Sequence, residues 1–427
     1  MHCSELFSQP KYVDVLVVGA GPAGMAAAIA AREVGVKNLL VIEREQRMGG
    51  ILCQCIHNGF GLHRFKEELT GPEYAQRDIE KVNELGIEVR TGTTVLSIDE
   101  NHLVTTVSRD KGICLFKAGA IVLVMGCRER PRGALAIPGT RCAGIYSAGT
   151  AQKFVNLEGY MPGKRCVILG SGDIGLIMAR RMTLQGAEVL ACVELMPYSS
   201  GLNRNIVQCL QDYDIPLYLS HTVIDIQGKD RLSGVTIAKV DENRRPIPGT
   251  EKSFECDTLL LSVGLIPENE LAEMAHVDIS PSTLGAVVDD NLQTSKKGIF
   301  ACGNVLHVHD LVDFVSSESF KAGKAAAEYV MGEKRDGFYV NVKDGSGVRG
   351  VVPQKLLIPT GEAKNVQLMF RPVGVYQNAS IRVLDGENEI MRQKKAVLTP
   401  GEMVELTLLP EKIKGLSGKD ITIVIEK

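Results

Sequence analysis

A chain of 427 residues is longer than one hydrophobic core fills, so about two to four domains are expected. At 44% apolar residues the chain folds as a globular protein, and 48 basic against 51 acidic residues, a net charge of −3, leave no basic excess for nucleic acid or an anionic membrane surface. The partners left are a small molecule, another protein or a second copy of the chain. The N-terminal MHCSELFSQP lacks a basic start followed by an apolar stretch, so no signal peptide is expected. No run of about eighteen apolar residues is present to span a bilayer. Eleven cysteines without recurrent spacing read as reduced thiols of a cytoplasmic protein.

Residues 13–43, VDVLVVGAGPAGMAAAIAAREVGVKNLLVIE, set the pattern for the chain. An apolar run over 15–18 feeds Gly19, Gly21, Pro22, Ala23 and Gly24, an Ala-rich segment follows, and a second apolar run over 39–42 ends at Glu43 and Arg44. This reads as strand, tight turn, helix and strand, the unit that binds a dinucleotide. Gly19 makes the turn, Gly21 lets backbone approach a pyrophosphate, and Gly24 lets helix pack on strand. The phosphates sit on the positive end of the helix, and the Glu43 carboxylate accepts from the hydroxyls of an adenosine ribose.

Next come Gly49 and Gly50, then Cys53 and Cys55, in MGGILCQCIHNGFG. Here the chain resembles the pyridine nucleotide-disulfide oxidoreductase superfamily of flavoproteins, in which a Gly-Gly pair leads to a helix beside the isoalloxazine ring. In one branch of that superfamily the redox disulfide is a C-x4-C on this helix. The present C-x-C closes only a small strained ring, so Cys53 and Cys55 are either a catalytic redox pair or small packing groups near the flavin. With His57 and His63 they match no standard zinc spacing, and no metal is expected.

An amphipathic helix is predicted over 70–85, strands over 88–99 and 103–107, and an apolar strand from 120 ending at Gly126, where the superfamily leaves its flavin domain. The Pro- and Gly-rich segment after it reads as a linker, with a domain boundary near Ile145. The opening pattern then repeats over 164–194, with Gly170, Gly172, Asp173, Ile174 and Gly175 after an apolar strand. Glu194 stands as far beyond Gly175 as Glu43 stands beyond Gly24. The duplication argues for two dinucleotides on two domains. A carboxylate at Glu194 accepts from a free 2'-hydroxyl and repels a 2'-phosphate, and residues 195–198 bring no Arg, so NAD(H) is favoured over NADP(H). The preceding GIYSAGTAQKFVNLEG, where thioredoxin reductases carry their C-x-x-C, has no cysteine.

Strand signals over 216–219, 234–239 and 256–263 complete the second domain, and Gly264 follows the last. TSKKGIFACGN resembles the second flavin motif of the superfamily, so Gly303 and Asn304 are expected at the flavin, Asn304 replacing the usual Asp. A small-residue helix starts near Asp313, its N-terminus implied by the resemblance to face the flavin N1 and O2 edge. His307 and His309, on the approach, read as an acid or base for the flavin or as loop polarity. From 339 to 427 short strands alternate with Gly, Pro and Asn turns, which suggests a small β-sandwich for docking or self-association.

The expected fold class is therefore α/β: two Rossmann-like dinucleotide-binding domains (FAD-binding 11–144 and 266–335, NAD-binding 145–265) and a C-terminal β domain over 339–427. The segments GIYSAGTAQ and IHNGFGLH are similar to NAD-linked flavoprotein subunits of bacterial multi-subunit dehydrogenases: opine oxidase, hydrogen cyanide synthase, proline dehydrogenase and glycerol-3-phosphate dehydrogenase-associated oxidoreductases. That resemblance implies hydride transfer between NAD(H) and FAD and a partner subunit. Three alternatives stay open: a disulfide or small-acceptor reductase using Cys53 and Cys55, a non-catalytic flavin-carrying interaction subunit, and an NADH oxidase or peroxidase.

Overall fold

The computed structural model describes residues 9–426, and the expectation about the N-terminal decapeptide falls mostly on residues 1–8, outside them. The opening apolar run becomes Lys11–Val18, which pairs in parallel with Leu39–Ile42 on one side and Gly112–Leu123 on the other. Such a strand is covered on both faces, which is why it reads as a continuous apolar run rather than an alternation. Glu88–Arg90 extends the sheet beyond Leu39–Ile42, and Ile299–Ala301 joins Gly112–Leu123. The antiparallel strands Leu103–Ser108 and Thr93–Ile98 complete it.

The helices Pro22–Val34 and Val312–Val330 pack on each other, and small residues set their separation. A Cβ on Gly323 would lie 2.0 Å from the Ala27 carbonyl oxygen, so only glycine allows this crossing. The amphipathic segment folds as Gly71–Glu84, started by a capping box in which Thr70 and Glu73 satisfy each other's backbone amides.

The chain divides into two compact units, residues 1–127 with 267–427, and residues 128–266. The first crossing thus falls earlier than the expected boundary at Ile145. The segment read as a linker belongs to the second unit: Leu135, Ile137 and Cys142 pack on its core, and Thr140 N donates to Ile226 O at 2.9 Å. Within that unit five parallel strands run in the order Ile145–Ser147, Thr258–Leu261, Arg165–Leu169, Glu188–Glu194 and Leu217–Leu219. An antiparallel sheet of His221–Gly228, Leu232–Lys239 and Lys252–Glu255 accompanies them.

The C-terminal β domain is two sheets, of five and three strands, around a core of its own that includes Leu356, Phe370, Val383 and Ile423. It belongs to the first compact unit, and buried polar groups fasten it there. Tyr339 Oη donates to Asp289 at 2.9 Å and Leu357 N donates to Asp290 at 2.9 Å, while Arg335, just before the domain, bonds Asp289 at 3.2 Å and Asp290 at 2.5 Å. Burial pushes the Asp289 carboxyl up, and the neighbouring Asp290 adds to the shift. At a second point Arg371 pairs with Asp310 and donates to Val308 O at 3.0 Å, while Met403 N donates to Asp310 at 2.7 Å. Among the described residues no helix is long and apolar enough to cross a membrane.

Replacing Gly323 by Val forces the two helices apart at Ala27. The expected loss of folding stability is about 3 kcal/mol, read as a lower midpoint in chemical denaturation, and an unchanged midpoint contradicts the close crossing.

Candidate dinucleotide-binding sites

The first turn is built on close approaches that leave its outer side free. Gly19 adopts φ +119°, and a Cβ there would meet Val124 O at 2.7 Å. A Cβ on Gly24 would sit 1.8 Å from Gly19 O, so helix and turn touch only because both residues are glycine. At Gly21 the situation reverses: φ is −74°, and an added Cβ would meet nothing nearer than Gly50 Cα at 3.9 Å. The protein interior therefore gives no reason for glycine there, whereas a bound group approaching the backbone does. Gly21 caps the helix without a side-chain partner, and Pro22 at its start has no amide to satisfy, so the first-turn amides and the helix dipole are available to an anion.

Glu43 joins this turn to the end of the next strand. It is 7% exposed; one oxygen accepts from Ala20 N at 2.7 Å and the other from Glu45 N at 2.8 Å. An ionised carboxylate has about four lone-pair positions, so acceptor capacity remains for ribose hydroxyls. Arg44, next in the chain, is exposed. Gly49 N donates to Ala20 O at 2.9 Å, and a Cβ on Gly50 would meet Gly21 Cα at 2.9 Å, so the Gly-Gly pair lies directly on the turn. Gly303 packs on Ala23 from the other side, its added Cβ meeting Ala23 Cβ at 3.0 Å. Glycines from three distant stretches thus converge on one turn.

The second unit repeats the construction. Gly170 adopts φ +98°, and a Cβ on Gly175 would meet Ser262 Cβ at 2.7 Å and Gly170 O at 2.9 Å. Glu194, 6% exposed, accepts from Ser171 N at 2.9 Å, from Ser171 Oγ at 2.6 Å and from Met196 N at 2.9 Å. Gly172 caps the helix Asp173–Leu184 without a side-chain bond. Asp173 is turned to the neighbouring loop, accepting from Leu202 N at 2.9 Å and Asn205 Nδ2 at 2.6 Å; Ile174 follows it, half-buried. Gly126 and Gly264 have positive φ with open space where a Cβ would stand.

Four sequence-picked residues make hydrogen bonds within the protein. Asp313 is 5% exposed and accepts from Gly61 N at 3.1 Å and Arg64 N at 2.8 Å, so its carboxylate fastens the 61–64 loop to the helix start. Arg64, which the sequence reading missed, adds a bidentate pair with Asp78 at 2.7 and 2.5 Å. Cys53 and Cys55, on the short turn Gly50–Gln54 and just after it, are not joined in a disulfide, and their thiols donate to Met48 O and Ile51 O, each at 3.4 Å. Burial pushes the Cys53 thiol up and the Cys55 thiol up to about 12, with Cys53 itself adding to the latter. Asn304 lends its side-chain oxygen to His309 N at 3.0 Å, which leaves one lone pair on that oxygen.

Within the second unit Glu129, Arg132, Tyr146, Ser147, Thr150 and Leu261 line much of a cavity of about 290 Å³. In the segment without cysteine the Ser147 and Thr150 hydroxyls stand 2.9 Å apart, and Glu129 accepts from Gly149 N at 2.8 Å while burial pushes its carboxyl up. Glu129 lies between the apolar strand that ends at Gly126 and the segment 131–144 read as a linker, where no periodicity marks it.

Two Rossmann-type cradles in series define a protein built to hold two dinucleotides. Residues 13–328 match the pyridine nucleotide-disulphide oxidoreductase family, and the chain belongs to it. Members of this family are FAD-dependent NAD(P)H oxidoreductases, and so is this chain. It is 24% identical over 314 residues to an opine oxidase subunit of Agrobacterium tumefaciens (strain Ach5), a match covering 69% of this chain and 61% of that protein. With the glutamate synthase [NADPH] small chain of Escherichia coli (strain K12) identity is 27% over 356 residues, covering 74% and 68%. Among solved structures, T. acidophilum thioredoxin reductase aligns with a TM-score of 0.62 at 24% identity, covering 74% of this chain and 98% of that one, which fixes the fold.

Because a Cβ added at Gly21 makes only an ordinary 3.9 Å contact with Gly50 Cα, Gly21→Val keeps the fold and blocks the cradle. Folding stability within about 1 kcal/mol of the parent and at least a tenfold drop in FAD retained per chain are expected, read by denaturation and flavin absorbance.

Proposed function

We propose that this chain exchanges electrons between NAD(H) and FAD as the electron-transfer subunit of a dehydrogenase complex in the cytoplasm. The observation that carries the NAD(H) assignment is Glu194, a buried carboxylate bonded to the second turn, followed by residues 195–203 without a Lys or Arg to hold a 2'-phosphate. The two bound dinucleotides supply the hydride exchange. The chain's own part is binding, orientation and tuning: Gly21 and Gly172 admit pyrophosphates, Glu43 and Glu194 hold riboses, and Gly49, Gly50 and Gly303 shape the flavin cradle. No side-chain acid or base is required for a hydride step.

The subunit reading draws support from the likeness to a glutamate synthase small chain and to a component of opine oxidase, and from the C-terminal β domain. Dithiol chemistry at Cys53 and Cys55 is disfavoured, because the nucleophile in such reactions is the thiolate and burial keeps both groups protonated. Reduced thiols throughout the described chain suit a reducing compartment.

Glu194→Arg removes the ribose acceptor and adds a partner for a 2'-phosphate. The ratio of NADH to NADPH efficiency in flavin reduction is expected to fall by about 10- to 100-fold, the worth of one or two charge-assisted hydrogen bonds. An unchanged ratio overturns the assignment. Cys55→Ser is expected to reduce its flavin with NADH at the parent rate, and a loss of reduction revives the dithiol reading.

A further inference from the structure

Behind Gly303, which packs on the first cradle, three buried side chains of the first unit point their donor atoms at one another. His307 and His309 lie between Gly303 and the helix Val312–Val330, and Glu318 lies within that helix. They are 4%, 9% and 7% exposed. His307 Nε2 stands 2.7 Å from one Glu318 oxygen and His309 Nε2 3.2 Å from the other. One potential ligand atom from each residue lies within 4.8 Å of the others. The backbone holds the set in place: Gly303 N donates to Glu318 at 2.6 Å, and His309 N donates to Asn304 Oδ1 at 3.0 Å.

We propose that His307, His309 and Glu318 form a binding site for a divalent first-row transition-metal ion. Two imidazoles and a carboxylate are a donor set that such ions take. Nδ1 of both rings is buried without a hydrogen-bond partner, so each is open to take the proton that Nε2 gives up on coordination.

His309 also borders a cavity of about 310 Å³ together with Asp310, Phe314, Lys395 and Glu402, the space nearest the triad from which water could complete an ion's coordination. Coordination at about 2.0–2.2 Å requires the carboxylate and imidazoles to part slightly and the Nε2 protons to leave, either to Nδ1 or to solvent.

The test uses the full-length flavoprotein, dialysed against chelator and titrated with ZnCl2 alone, with bound zinc measured by elemental analysis and by the shift in melting temperature. A single zinc per chain and a higher melting temperature are expected. His307→Asn and Glu318→Gln are expected to weaken zinc binding at least about tenfold, while His276→Asn, at an exposed histidine, binds as the parent does. Parent protein that takes up no zinc, or variants that bind equally well, overturns the site. If the variants fail to fold, X-ray absorption at the zinc edge of the parent decides: a shell of nitrogen and oxygen with imidazole scattering supports the triad, and sulfur in the shell overturns it.

Discussion

The structure depends on one hydrogen-bond arrangement made twice. In each Rossmann half the carboxylate that ends the second strand accepts the amide of the residue after the first glycine: Ala20 N to Glu43 at 2.7 Å and Ser171 N to Glu194 at 2.9 Å. A glycine turn carries little stabilising contact of its own, since its function is to leave room. Tying it to the adjacent strand through a buried anion holds the turn where a pyrophosphate is met by amides and the ribose is met by the same carboxylate. Loss of either acid would therefore loosen the turn as well as remove a ligand contact.

Around the first cradle the chain adds layers that the second lacks. Gly49 and Gly50 lie on the turn, Gly303 packs against Ala23, and Asp313 stitches the 61–64 loop to the second helix. The segment from Gly303 to Asp310 is shared still further, because Asp310 receives Arg371 and Met403 from the β domain. The β domain is consequently part of the framework behind Asn304, so strain or partner binding on its strands has a short covalent and hydrogen-bonded path to that residue. The second cradle stands on fewer supports, mainly Ser262 beneath Gly175 and the 199–205 loop at Asp173 and Ser171, as suits a ligand that exchanges.

Much of this was legible in the sequence because it is local. Apolar runs, glycine spacing and terminal acids lie within about thirty residues of one another in a βαβ unit, and their duplication is visible without coordinates. The alternation of the last ninety or so residues marked a two-sheet β domain by its period. What was not legible is pairing across long separations. Nothing near Asp313 announces that its oxygens serve Gly61 and Arg64, and nothing near Asp310 announces Arg371. Residues 131–144 looked like a linker because Pro and Gly interrupt any periodicity, yet Leu135 and Ile137 pack on the second unit's core. The two histidines were visible, but Glu318 sits on a helix whose other polar residues gave no sign that it would be the buried one.

The central claim is that two cradles on one chain serve one electron exchange. It is tested most directly by titrating the purified, FAD-loaded protein with NADH in the absence of oxygen while following the flavin absorbance. The account predicts that the flavin bleaches completely at one equivalent of NADH per flavin, with no partner protein or thiol reagent added. A flavin whose spectrum is unchanged by excess NADH would contradict it.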